Sequence, residues 1–114
     1  MAAVSAVQVA VSVSTRHDGP VADVWLTGDI DLAAEAALAE AAEELRVLAP
    51  RSVMIDLAGV TFAGTSLVSF LVRVRTVIPG GASMTTRGPI PLVRRVLIVT
   101  AVDQLVGLDL AADA

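Results

Sequence analysis

The chain contains no cysteine, no lysine, no tyrosine and only one histidine. Without thiols there is no disulfide framework, no thiolate metal site and no cysteine nucleophile, and one imidazole cannot build a multi-histidine metal centre. The missing lysine excludes Schiff-base catalysis and the phosphate-binding lysine of a P-loop. All eight basic residues are arginine. Aromatic residues make up 3%, one Trp and two Phe, in a chain of net charge −4. Both the stacking groups and the positive charge of a nucleic-acid binder are therefore absent. The longest apolar runs break at Arg73 and at Arg94-Arg95, short of the roughly 18 residues a membrane-spanning helix needs. No basic residue precedes Arg16, so Met1 to Thr15 lacks the charged start of a signal peptide and a cytoplasmic protein is expected. No metal or cofactor is expected, and a stand-alone enzyme has no evident catalytic base beyond His17 and ordinary carboxylates.

What is present is a domain-sized chain of 114 residues, 55% of them hydrophobic. That fraction excludes disorder, and the length predicts one domain over 1–114, with a core at about 8–108 and a short flexible C-terminal tail. Val, Ala and Leu dominate, which suits a sheet covered by Ala-rich helices, an α/β domain. The charge is polarised along the chain. Residues 1–50 hold eight acids and two arginines, a net −6, whereas residues 51–114 hold four acids and six arginines, a net +2. No acid lies between Asp56 and Asp103, so this half can present a mildly positive surface.

Gln8 to Ser14 alternates with period two and Val21 to Thr27 is a second β-rich run. Turn chemistry at Arg16-His17-Asp18-Gly19-Pro20 joins them, which predicts a hairpin with His17 as a solvated turn residue. Gly28-Asp29-Ile30-Asp31 ends the second strand, and Asp31 is placed to cap a helix from about Leu32 to Leu48. Ala34, Leu38, Ala41, Leu45 and Leu48 share one stripe of that helix, while Glu35, Glu40, Glu43 and Glu44 solvate the other side. Nothing in the sequence buries one of these carboxylates, as a paired acid/base site requires. Ala49-Pro50-Arg51 stops the helix. Ser52 to Leu57 then reads as a central strand, parallel to Val21–Thr27 through a right-handed crossover.

After Ala58–Gly64 a second helix is predicted from about Ser66 to Ile78, ended by Pro79-Gly80-Gly81. Ala82–Thr86 reads as a short strand, Pro91 to about Ala101 as a third helix with Pro in its first turn, and Leu105-Val106-Leu108 as a last amphipathic turn before a frayed tail.

Leu67, Phe70, Leu71, Val74, Val77 and Ile78 form the inward stripe of the second helix. The opposite face then carries Thr65, Val68, Ser69, Val72, Arg73 and Thr76. Two valines one turn apart beside hydroxyls suggest a protein contact surface, unless a larger core or a terminal segment covers them. Thr65 stands at the helix start, where its plain role is an N-cap. Phosphorylation there would add about −1.5 to −2 charges at a helix N-terminus, which tolerates them, while opposing any partner docked on the valines. Asp29 and Asp31 are expected at the same end of the sheet, bordering this surface, with a turn and a helix cap as their structural roles.

Taken together, Gly28-Asp29-Ile30-Asp31, then Val53-Met54-Ile55-Asp56-Leu57-Ala58-Gly59-Val60-Thr61-Phe62, the hydroxyl pair Thr65-Ser66, Gly88-Pro89 and Val93-Arg94-Arg95-Val96-Leu97 resemble a STAS domain of the anti-sigma factor antagonist type. The resemblance spans about residues 8–108. It implies a mixed sheet of four to five strands flanked by α-helices. It also implies binding to an anti-sigma factor that is a serine/threonine kinase, ended by phosphorylation. The family's phosphoacceptor falls on Thr65, with Ser66 as the alternative, and the implied partner surface is Thr65, Ser66, Val68, Ser69, Val72, Arg73, Asp29 and Asp31. The family usually has Asp before the acceptor and Gly after the hydroxyl pair, where this chain has Gly64 and Leu67. Ile98 and Ala101 are likewise more apolar or bulkier than the family's polar residue and Gly. These departures leave three readings beside one another: a kinase-switched antagonist, a non-phosphorylated scaffold or homo-oligomer module, and a nucleotide or small-ligand binding domain. The high apolar content also admits a homodimer without locating its interface.

Overall fold

The computed structural model describes residues 8–16, 19–100 and 108–110. Strands β1 (Gln8–Arg16) and β2 (Gly19–Ile30) form the expected hairpin. The turn residues His17 and Asp18 lie outside the described residues. A 3-10 turn at Leu32–Ala34 leads into helix α1 (Glu35–Leu48), then come β3 (Ser52–Ala63), α2 (Thr65–Val77), β4 (Ser83–Arg87), α3 (Pro91–Val99) and β5 (Leu108–Leu110). The strand order is β1-β2-β3-β4-β5, with β1 antiparallel and the other four mutually parallel. This is the mixed α/β sheet expected from the sequence, with β3 at its centre. Leu105 and Val106 lie outside the described residues. Leu108, expected in an amphipathic turn, begins β5 instead, and Asp109 and Leu110, expected in the frayed tail, pair with β4.

All three helices cover one face. Ala22, Val24, Leu26 and Ile30 of β2, Val53, Ile55 and Leu57 of β3, and Met84 of β4 share a single core with Leu38 and Leu45 of α1, Leu67, Phe70, Leu71 and Val74 of α2, and Val93 and Leu97 of α3. Residues of opposite parity, such as Asp23, Trp25, Met54 and Thr85, stay partly or fully exposed on the other face. The paired strands keep their period-two code as far as Leu57 of β3, and the glutamates of α1 point outward as the wheel predicts.

Local chemistry explains the helix boundaries. The Asp31 carboxylate accepts the Ala33 amide at 3.0 Å, so the cap is as predicted, but a 3-10 turn is interposed before α1 begins. At the other end Ala49 takes φ 50°, ψ 57° and donates its N–H to the Leu45 carbonyl at 3.0 Å, an αL termination built without glycine. An L-residue in αL costs about 1–2 kcal/mol. Because glycine also adds unfolded-state entropy, Ala49→Gly is expected to stabilise the fold by a net amount up to about 1 kcal/mol, read as a rise in melting temperature. In the core, the Thr86 hydroxyl is buried without a hydrogen-bond partner. Thr86→Val keeps the shape and removes the unsatisfied group, so it should raise stability by about 1 kcal/mol in urea titration, provided the slope is unchanged.

Candidate switch and docking site at the start of the second helix

The site lies where β2 and β3 end together. The sequence reading took Ala58–Gly64 as a connector, yet β3 continues to Ala63 because it takes up two irregularities in its pairing with β2. Trp25 pairs with Asp56 and Thr27 with Gly59, then Gly28 with Val60 and Asp29 with Phe62, so β3 carries one extra residue at each step. Each bulge rotates the strand. Beyond Leu57 the buried positions become Val60 and Ala63, and Thr61 and Phe62 turn outward. Glycine permits both steps: Gly28 has φ 87°, and a Cβ on Gly59 would stand 2.6 Å from the Thr27 methyl.

The strand ends are then tied. The Gly64 N–H donates to the Ile30 carbonyl at 3.2 Å, and the Thr61 hydroxyl donates to Asp29 Oδ1 at 2.6 Å. Asp29 is thus a strand residue holding β3, where the sequence suggested a turn. The structure brings Asp29, Asp31 and the start of α2 to one end of the sheet, as expected.

Helix α2 starts with Thr65 as its first helical residue. Gly64 occupies the N-cap, and no side chain caps the first-turn amides, so the N-cap role expected for Thr65 is not the one it plays. Its side chain is exposed. Ser66 is different: it is 5% exposed and donates its hydroxyl to Glu35 Oε2 of α1 at 3.1 Å. The two adjacent hydroxyls therefore have opposite access to a large reactant.

Val68 and Val72 are half-buried and pack against the core, a correction to the wheel, which set them in water. The apolar arc of α2 is wider than the six residues assigned to it, and these valines form its edge. Ser69 is exposed, and Arg73 also lies on the outer face. Both line two clefts: one of about 330 Å³ against α1, bordered also by Glu35, Ser66 and Phe70, and one of about 470 Å³ bordered by Val68, Val72 and Thr76.

The sequence reading missed three residues here. Leu32 in the 3-10 turn is 78% exposed, Phe62 at the end of β3 is 47% exposed, and Glu35 anchors Ser66. The first two had a legible signal: Leu32 falls off the α1 stripe, and Phe62 is one of only two phenylalanines, set between glycines. Both are large apolar side chains left exposed beside the strand ends.

The strand ends and the N-terminus of the second helix thus meet at one pole of a one-sided α/β domain. Residues 13–107 match the family model described as Mlab, STAS domain, and the chain belongs to that family. The crystal structure of an anti-sigma factor antagonist from Mycobacterium paratuberculosis is similar over 96% of this chain and 90% of its own, with a TM-score of 0.72 and 26% identity. The anti-sigma factor antagonist SpoIIAA in its unphosphorylated form is similar in fold, with a TM-score of 0.61 at 18% identity, over 90% of this chain and 89% of its own. No curated protein matches the chain by sequence. Among the described residues no helix is long and apolar enough to cross a membrane.

Proposed function

We propose that this STAS domain is a non-enzymatic, cytoplasmic anti-sigma factor antagonist. It binds an anti-sigma factor that is also a serine/threonine kinase, and phosphorylation of Thr65 ends the association. The observation that carries the reading is the contrast between the two hydroxyls. Thr65 is exposed at the first position of α2, whereas Ser66 is buried and held by Glu35. A kinase must seat the acceptor oxygen in line with the γ-phosphate, which an exposed hydroxyl permits and a buried, bonded one resists. The helix start supports the product as well, because its uncapped amides and dipole favour a phosphate there.

The same geometry explains why a phosphate would end binding. The apolar groups available to a partner, Leu32 and Phe62, share this pole with Asp29, Asp31 and Glu35. A dianion added among three carboxylates would have to be desolvated under a docked partner with no arginine at the helix start to pair it. Ser69 and Arg73, with the half-buried Val68 and Val72, extend the surface along α2.

The test is capture of partners from the native lysate by wild type, Thr65→Glu and Thr65→Ala, with bound proteins identified by mass spectrometry. Recovery of an anti-sigma kinase by wild type and Thr65→Ala but not by Thr65→Glu is the expected result. Equal recovery by all three would overturn the switch, and recovery of no such kinase would overturn the assignment of partner.

A further inference from the structure

Helices α1 and α3 carry apolar patches of opposite charge. At the β1 flank, Val11 and Val13 of the edge strand and Val47 and Leu48 of α1 line a groove of about 380 Å³ rimmed by Glu43 and Glu44. Val47 is 72% and Val13 49% exposed. The outer side of α1 adds Glu40, and its only cation is Arg46, whose guanidinium bonds Glu43. That bond holds the Glu43 carboxyl below its usual range.

Helix α3, packed on β3, buries Val93 and Leu97 and turns its remaining face outward. Leu92, Ile98 and Val99, between half and three-quarters exposed, stand with Arg94 and Arg95 around a cleft of about 530 Å³. Spacing by three and four residues puts these side chains on one side of the helix. Helix α3 contains no acid. Charged side chains alone would be a solvated face, but three large apolar residues interleaved with two arginines make a surface that gains from being covered.

We propose that these patches are complementary halves of one interface, so that α3 of one copy docks on the β1–α1 groove of the next. Charge matches charge, Arg94 and Arg95 against Glu43 and Glu44, while Leu92, Ile98 and Val99 meet Val13, Val47 and Leu48. The two halves lie on different elements: α1 packs against β1 and α2, whereas α3 packs against β3. Each patch meets the other and not itself, so a single such contact is heterologous and association proceeds head to tail beyond two copies. Neither lining includes Thr65, Leu32 or Phe62, so the proposal does not rest on the switch at Thr65.

Sedimentation of the full chain over a concentration series tests this. The wild type is expected to form a series of oligomers that weakens as salt is raised from about 0.05 to about 0.5 M, because the Debye length shortens severalfold. Arg94→Glu with Arg95→Glu, and separately Glu43→Arg with Glu44→Arg, should each weaken association by about tenfold or more. Both changes are on exposed or half-exposed positions, and circular dichroism checks that each variant folds. Mixing the two variants restores opposite charges across the interface and should restore association. A wild type that stays monomeric, association that stops at two copies, insensitivity to the reversals, or failure of the mixture to associate would each overturn the proposal.

Discussion

Thr65→Glu is expected to lower affinity for the proposed anti-sigma kinase partner by about a hundredfold or more, with no loss of fold stability. The two parts of this expectation have different origins. Stability is preserved because the residue is exposed at the first position of α2, where a negative charge interacts favourably with the helix dipole and displaces no existing side-chain cap. Binding is lost because the new carboxylate would stand among Asp29, Asp31 and Glu35 under the partner. An unpaired charge taken out of water costs several kcal/mol, and each 1.4 kcal/mol is a factor of ten. Titration calorimetry of the isolated pair, alongside thermal melts of both variants, separates the two effects. Thr65→Ala supplies the complement: it should bind as wild type does and remain bound after incubation with ATP, conditions under which wild type is released. A Thr65→Glu variant that binds within twofold of wild type would sink the assignment of Thr65 as the switch.

Leu67→Ala should have the largest effect on the fold itself, about 2–5 kcal/mol of a total stability of order 5–15 kcal/mol. Leu67 is fully buried beneath the first turn of α2, in the same core as Leu26, Leu57 and Leu71. Its truncation removes apolar contact and leaves a cavity that helix and sheet cannot close without moving the helix start. The melting temperature is expected to fall by about 10 °C or more, measured by calorimetry. Partner affinity should fall with it even below the melting range, since the turn that presents Thr65 has lost its anchor. A fall of less than about 1 kcal/mol would mean the site collapses around the smaller side chain and that α2 is not held here. This position is also where the family usually has glycine. The leucine is absorbed by the interior, so the departure does not block the outer surface on which a partner would act.

Several elements were legible before any coordinates because they depend on near neighbours. The period of the apolar residues marked α1 and the inward side of α2, the Asp31 carboxylate marked a helix start, and Pro79-Gly80-Gly81 marked a helix end. The β-rich run Ser52–Leu57, with too little polar alternation for an edge strand, identified the central strand. Periodicity ceased to help after Leu57, since a bulged strand has neither a strand's nor a helix's period. Gly59 and the change in spacing therefore read as a connector. Only pairing with β2, through two extra residues, makes that segment strand and points Phe62 outward.

The candidate site divides along the same line. Sequence by itself determined that a hydroxyl pair opens a helix next to an acidic strand end, and that this chain lacks the groups for most catalysis. Those are consequences of residue type and local spacing. Which hydroxyl is accessible was decided by the tertiary structure alone, because it depends on Glu35 reaching Ser66 from a helix 31 residues away. Whether Val68 and Val72 stand in water was decided the same way, by how wide an arc of α2 the core covers. A helical wheel knows the angle of a side chain, but its burial is set by what the rest of the fold places against it.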